Sequence, residues 1–237
     1  MIIKNPGGLG ATVSQHLQRD LDHLHRQMLA ISAVVEEMID KAARALNESS
    51  IGLSEEVIAL DVQVDQHEVR IEEECLKILA LHQPVARDLR RLATVLKVNN
   101  DLERIADLAV SIAERALDIA DTVAFPLPSK LPRMANMAAQ MVHGVLDAFV
   151  NLDSTSARRI ILLDDDVDQY NRDIIEELRE LMTRRTDLIS PALHCFSATR
   201  HFERIADHAT NIAEDVIYLV EGEIVRHGNQ QFLKEER

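Results

Sequence analysis

Glu103-Arg104-Ile105-Ala106-Asp107-Leu108-Ala109-Val110-Ser111-Ile112-Ala113-Glu114 is the stretch that decides the fold. It returns 100 residues later as Glu203-Arg204-Ile205-Ala206-Asp207-His208-Ala209-Thr210-Asn211-Ile212-Ala213-Glu214, with nine of twelve positions identical. In each copy the opening Glu and the Asp four residues on share one side of a helix, since i and i+4 are neighbours at 3.6 residues per turn. Two carboxylates stacked one turn apart repel unless an arginine or a cation sits beside them.

Around this repeat the chain reads as packed helices. Gly 7 and Pro 6 are low, and Phe 5, Tyr 2 and Trp 0 leave little for an aromatic sheet core. The formal charge of −14 opposes nucleic acid and anionic lipid as partners and suits cations or basic protein surfaces. Cys75 and Cys195 stand alone, with no CxxC, which fits buried thiols in a reducing cytoplasm. No apolar run approaches the roughly 20 residues that span a bilayer. The best stretch, Met134 to Val150, is broken by Asn136, Gln140, His143 and Asp147, so the reading is a soluble protein.

Taken in order, residues 1–13 read as a flexible tail and 14–124 as a first three-helix repeat. Leu17, Leu21, Leu24, Met28, Ile31, Val35, Met38, Ala42 and Ala45 step by fours and threes through helix one. Ser54, followed by Glu55 and Glu56, reads as the N-cap of helix two, which His82-Gln83-Pro84 stops. Asp88 is placed to cap helix three, running to about Asp121. Residues 125–132 hold three of the six prolines and read as a non-helical linker. The second repeat spans 133–222, with helix four ending near Leu152, helix five continuous from Ile160 to Leu181, and helix six opened by Ser190-Pro191. Residues 223–237 read as a C-terminal tail. Helix five repeats the apolar pattern of helix two when shifted by 103 residues (Val64 with Val167, Ile71 with Ile174), so the unit is three helices used twice.

Helices two and five each add an acidic pair at the same spacing, Asp61 with Asp65 and Asp164 with Asp168. A turn centred near residue 84 or 85 sets Glu103 level with Asp65 or Gln66 and Asp107 level with Asp61 or Val62, within about one turn. A turn near Thr186 to Leu188 sets Asp168 level with Asp207. Each repeat thus gathers four carboxylates. By height alone, Glu36 and Asp40 of helix one join the first group, and His143 and Asp147 of helix four join the second. His208, about 100° round the helix from Asp207, is a further candidate ligand. Oxygen-rich sites of this kind accept Mg²⁺, Mn²⁺, Fe or Zn²⁺. The absence of ExxH and HExxH separates them from the usual di-iron oxidase and metalloprotease sets. The alternatives stay open: Arg104, Arg204, Arg90, Arg91 or Arg200 as intramolecular partners, and Asp164-Asp165-Asp166 as a solvated run at a helix start. Asn99 reads as a core polar group that fixes register.

At these residues the chain from about Ser14 to His227 resembles the PhoU family. The likeness is carried by Gln83-Pro84-Val85-Ala86-Arg87-Asp88-Leu89-Arg90, by Asp101-Leu102-Glu103-Arg104-Ile105-Ala106-Asp107, by Arg204 to Glu214, and by Ile217 to Gly222 with Arg226-His227. The resemblance implies two tandem three-helix bundles, usually dimeric, with multinuclear metal sites on Glu/Asp-xxx-Asp motifs filled by Glu103 with Asp107 and by Glu203 with Asp207. It further implies a cytoplasmic, non-catalytic adaptor that restrains phosphate uptake and the phosphate-starvation response. The implied partners are the nucleotide-binding subunit of a phosphate ABC transporter and a sensor histidine kinase. Ala106 and Ala206 stand where the family usually has Gly, and Met1 to Thr12 has no counterpart. A carboxylate-bridged di-metal hydrolase or oxidase and a metal-free helical scaffold are the rival readings.

Overall fold

A computed structural model describes residues 9–120 and 125–225, with side chains from residue 15 onward. The predicted all-α fold is what it shows: the described residues form helices joined by short turns, with no strand among them. The order is α1 (Leu9–Glu48), α2 (Ile51–His82), α3 (Ala86–Ala120), α4 (Leu131–Asn151), α5 (Ser154–Ile161), α6 (Asp164–Arg184), a 3-10 turn (Thr186–Leu188) and α7 (Ile189–Glu221).

The seam read in helix one is its buried face: Leu21, Leu24, Met28, Ile31, Val35, Met38, Ala42 and Ala45 are all buried. Helix one begins earlier than Ser14, at Leu9. Ser49 takes a left-handed φ of 52°, and Ser50, not Ser54, caps α2, its Oγ accepting the Leu53 N–H at 3.4 Å. The reversal needs only two residues, so Ser54 falls inside the first turn and is buried. Gln83 closes α2 in the left-handed region, its N–H bonding the Leu79 carbonyl at 3.1 Å. Asp88 lies in the first turn of α3, where its charge meets the positive end of the helix, and does not cap it. Asp121, the expected end of helix three, lies outside the described residues.

Three further boundaries differ. Leu131 and Pro132 of the expected linker open α4, because the first helical turn has no use for the N–H that proline lacks. Leu152, near which helix four is expected to end, is its left-handed C-cap at φ 54°. Asp153 then starts α5 by accepting the N–H groups of Thr155 and Ser156 at 3.0 and 3.1 Å. Helix five is not continuous. It breaks at Leu162-Leu163, where the Leu163 N–H bonds the Ile160 carbonyl at 3.0 Å in a tightened turn. Asp164, Asp165 and Asp166 thereby become the first turn of α6 and face its positive end. Helix six starts at Ile189, with Pro191 in its first turn and no side-chain cap from Ser190. It ends at Gly222, whose φ of 80° suits glycine and where a Cβ would run into the Arg90 guanidinium.

The two motif helices form the centre. α3 and α7 each bury fifteen residues, whereas α2 buries six and α6 four, so the motif helices are surrounded and the others flank them. α1 and α2 pack on α3; α4, α5 and α6 pack on α7; α3 packs on α7. The central pair runs antiparallel, tied by Lys97 to Asp215 at 2.9 Å, by Asp101 to His208 at 2.8 Å and by Asp118 to His194 at 3.1 Å. Cys75 and Cys195 are buried, which pushes both thiols up to about 12. Phe202 is the bulkiest fully buried side chain, so Phe202→Ala is expected to cost about 3–5 kcal/mol. Urea unfolding followed by circular dichroism measures the loss.

Candidate metal centre

Each carboxylate group is assembled by an antiparallel helix pair whose register a buried asparagine sets. In the first repeat Asn99, buried on α3, donates Nδ2–H to the backbone carbonyl of Glu68 on α2 at 3.0 Å. One turn further along α3, Glu103 then stands level with Asp65, and Asp107 one more turn on stands level with Asp61. In the second repeat Asn171 of α6, also buried, donates to Glu203 Oε1 of α7 at 3.3 Å, which brings Asp207 level with Asp168. Both placements agree with the heights expected from the turns.

The electrostatics show that the four groups of each repeat act on one another. Asp61 is raised above its ordinary range by burial, then by the charges of Asp65 and Asp107. Glu103 is raised by burial and by Asp107, with Arg104 opposing, and Glu68 and Asp65 add to the rise. In the second repeat Asp164 is pushed up to about 6 by burial and by the charges of Asp207, Asp168, Asp165 and Glu203. Burial likewise raises Glu203 and Asp207, and the Asp168 charge adds to both. Such shifts mark carboxylates gathered without enough positive charge to hold them all ionised.

Arginines answer part of this need. Arg104 reaches Glu103 and Asp107, both at 3.4 Å, and Arg200 reaches Glu203 Oε1 at 2.6 Å, as the sequence allowed. Arg172, which the sequence reading did not name, lies 3.6 Å from Asp168. Buried acceptors are left over in both repeats: Asn99 Oδ1 in the first, and Glu203 Oε2 and Asn171 Oδ1 in the second, have no hydrogen-bond partner among the described residues. A buried acceptor without a donor is an uncommon arrangement that a cation or a water resolves. Among the described residues, no three His, Cys, Asp or Glu groups are drawn close enough to hold an ion as they stand. The donor chemistry, carboxylate and amide oxygen, fits a hard or borderline cation, and Arg104 and Arg200 already meet Glu103, Asp107 and Glu203.

The height argument fails for the residues of helices one and four. Glu36 and His143 meet each other at 2.7 Å, and His143 lies 3.5 Å from Asp147, a separate cluster where α1 touches α4. Donating to the Glu36 carboxylate raises His143 above its ordinary range. Asp40 lies 4.0 Å from Arg44 of its own helix. Level heights do not fix facing: Glu36, His143 and Asp147 meet at the α1–α4 seam, and Asp40 turns to solvent. His208 turns to Asp101 across the α3–α7 interface, from where its charge lowers Asp207. Glu68 is a group the sequence reading missed. It acts on Glu103, and its place three residues after Asp65 was the available signal.

A PhoU domain matches twice, over residues 28–116 and again over 131–216. The chain belongs to the PhoU family. Among its PhoU-family relatives, the phosphate-specific transport system accessory protein PhoU homolog of Pseudomonas aeruginosa is 36% identical over 98% of this chain and 96% of its own. The homolog of Aquifex aeolicus is 39% identical over 92% of this chain and 98% of its own. The accessory protein PhoU of Escherichia coli is 33% identical over 92% and 91%. The crystal structure of PhoU from Pseudomonas aeruginosa superposes with a TM-score of 0.85 at 36% identity, covering 87% of this chain and 99% of that one. The phosphate transport system regulatory protein PhoU from Streptococcus pneumoniae gives 0.82 at 29% identity, covering 89% and 100%.

The raised Asp164 has a readable consequence in chelator-treated protein. Its folded state holds a proton that the unfolded chain releases near 3.8, so the group favours folding at low pH and loses that contribution as pH rises from about 4 to about 6. Asp164→Asn is expected to remove this part of the pH slope and to raise the urea midpoint at pH 7. Midpoints measured from pH 4 to 7 for both proteins check it.

Proposed function

We propose that the chain is a regulatory adaptor of a phosphate transport system. In this reading it restrains high-affinity phosphate uptake and phosphate-starvation signalling by contacting the nucleotide-binding subunit of the phosphate ABC transporter and a sensor histidine kinase. It works in the cytoplasm as a homodimer. The observation that carries the reading is the near-full-length relationship to proteins named as phosphate-transport accessory proteins, 36% identical over 98% of this chain in one case. Among the described residues no helix is long and apolar enough to cross a membrane, which fits a partner that docks onto the transport machinery.

Metal is part of the proposal. Asp61, Asp65, Glu103 and Asp107 would hold ions in the first repeat, and Asp164, Asp168, Glu203 and Asp207 in the second, with Fe, Zn, Mn or Mg as the candidate metals. The unsatisfied Glu203 Oε2 and the raised Asp164 support this. A bound cation supplies the positive charge that offsets the repulsion within each group. The protein residues then cross-brace α2 to α3 and α6 to α7, which sets the rigidity and charge of the faces offered to partners. An enzyme using the same carboxylates finds no support in a nucleophile, since both thiols are buried and held neutral.

Two measurements test the two parts separately. Elemental analysis of chelator-washed protein is expected to show about one or more transition-metal ions per repeat. The Glu103→Ala, Asp107→Ala, Glu203→Ala, Asp207→Ala variant is expected to retain none while circular dichroism stays helical. Loss of partner capture by that variant, read in a pull-down with the purified transporter subunit, would tie metal to docking. Capture that survives the substitutions sinks the metal-dependent version and leaves the adaptor; no capture by the parent protein sinks the adaptor itself.

A further inference from the structure

Helix α2 is apolar on two opposite faces. Its inner face, Val57, Val64, Ile71, Cys75 and Ile78, is buried against α1 and α3. On the outer face Ile51, Ile58, Val62, Val69 and Leu76 are between 37% and 59% exposed. At 100° per residue these five fall within a sector of about 40°, opposite the core and in steps of seven, four, seven and seven residues, and the row is about 37 Å long. Lone exposed apolar residues need no explanation, but five of them aligned on one side of a helix do.

The internal repeat supplies a control. Shifted by the 103 residues that superimpose the repeats, Val62, Val69 and Leu76 fall on Asp165, Arg172 and Arg179 of α6, all exposed and charged, and Ile51 falls on Ser154; Ile58 alone meets an apolar counterpart, Ile161 of α5. A flanking helix of this fold therefore needs no apolar outer stripe. The stripe on α2 is a property of this helix and calls for an occupant.

Charge selects the occupant. Exposed acidic residues border the stripe on both edges, Glu55 and Glu73 on one and Asp65 and Glu72 on the other. The basic residues nearby are Arg70 and Lys77, and Lys77 is already paired with Glu74 at 3.0 Å. A second copy of this chain would bring acidic edges against acidic edges on a molecule of formal charge −14. We propose that the outer face of α2 is a docking seam for an amphipathic helix of a partner protein, with an apolar stripe at seven-residue spacing and Lys or Arg along its edges. The seam takes such a helix as one more strand of a coiled coil, apolar side chains interlocking along the stripe and basic flanks meeting the four acids. Asp65 belongs to the first carboxylate group as well, so binding is measured on chelator-treated protein.

The test uses the full chain and a defined probe. A synthetic 25-residue peptide with Leu at the seam positions and Lys on both flanks is compared, by fluorescence anisotropy, with a peptide of the same composition in scrambled order and with a Glu-flanked version. The Lys-flanked amphipathic peptide is expected to bind the parent protein at least about tenfold more tightly than either control. The Val62→Ser, Val69→Ser, Leu76→Ser variant is expected to lose about that factor while keeping its helical circular dichroism. Val69→Lys, a single exposed change, is expected to weaken binding in the same direction and serves if the triple variant folds poorly. Equal binding by the triple variant, or by the Glu-flanked peptide, overturns the proposal. So does sedimentation equilibrium showing that the parent self-associates and the triple variant does not, since the stripe would then be the contact between copies.

Discussion

The antiparallel contact between α3 and α7 is the constraint on which the rest depends. Each of these helices buries fifteen residues and is covered on several sides, so every other helix is positioned by reference to them. Ala106, Ala109 and Ala113 on one, with Ala206, Ala209 and Ala213 on the other, are fully buried and let neighbouring helices approach closely. The ties Lys97–Asp215, Asp101–His208 and Asp118–His194 fix their register. In that register Glu103 stands level with His208 and Asp107 with Arg204, so the two motif copies lie at one height and run in opposite directions. Duplication of a sequence has become an approximate twofold arrangement in space.

From that arrangement follows the chemistry of the carboxylates. Asp61, Glu103, Asp164, Glu203 and Asp207 are all raised because α2 and α6 present acids to the motif helices at heights where burial and repulsion act together. Arg104, Arg172 and Arg200 meet some of the charge without removing the strain at Glu203 Oε2. The repeats are alike in this but not identical. Where the first has Glu68, whose carbonyl accepts from Asn99, the second has Asn171, which donates directly to Glu203.

The differences between the repeats bear on interaction as much as on chemistry. The first offers solvent a long unbroken α2 with an apolar outer line. The second replaces it with a short α5 and a charged α6, because three aspartates at 164–166 favour starting a new helix over continuing the old one. A molecule built from one unit used twice thus has two unlike faces, a route by which a small protein can distinguish partners.

The sequence by itself determined the helical class, the duplicated unit, the seam of α1, and the heights at which acidic residues stand along α2, α3, α6 and α7. All of these follow from period, spacing and the positions of turns, which are local properties of a helical chain. Tertiary structure decided what period cannot carry. It chose Ser50 over Ser54 as a cap because the α1–α2 reversal is only two residues long, and it broke helix five at Leu162. It also turned Glu36 and His143 toward each other and His208 toward Asp101, although their heights matched the carboxylate groups. Height along a helix is fixed by residue count, whereas facing is fixed by which neighbour a helix packs against, and that neighbour is known only once the chain has folded.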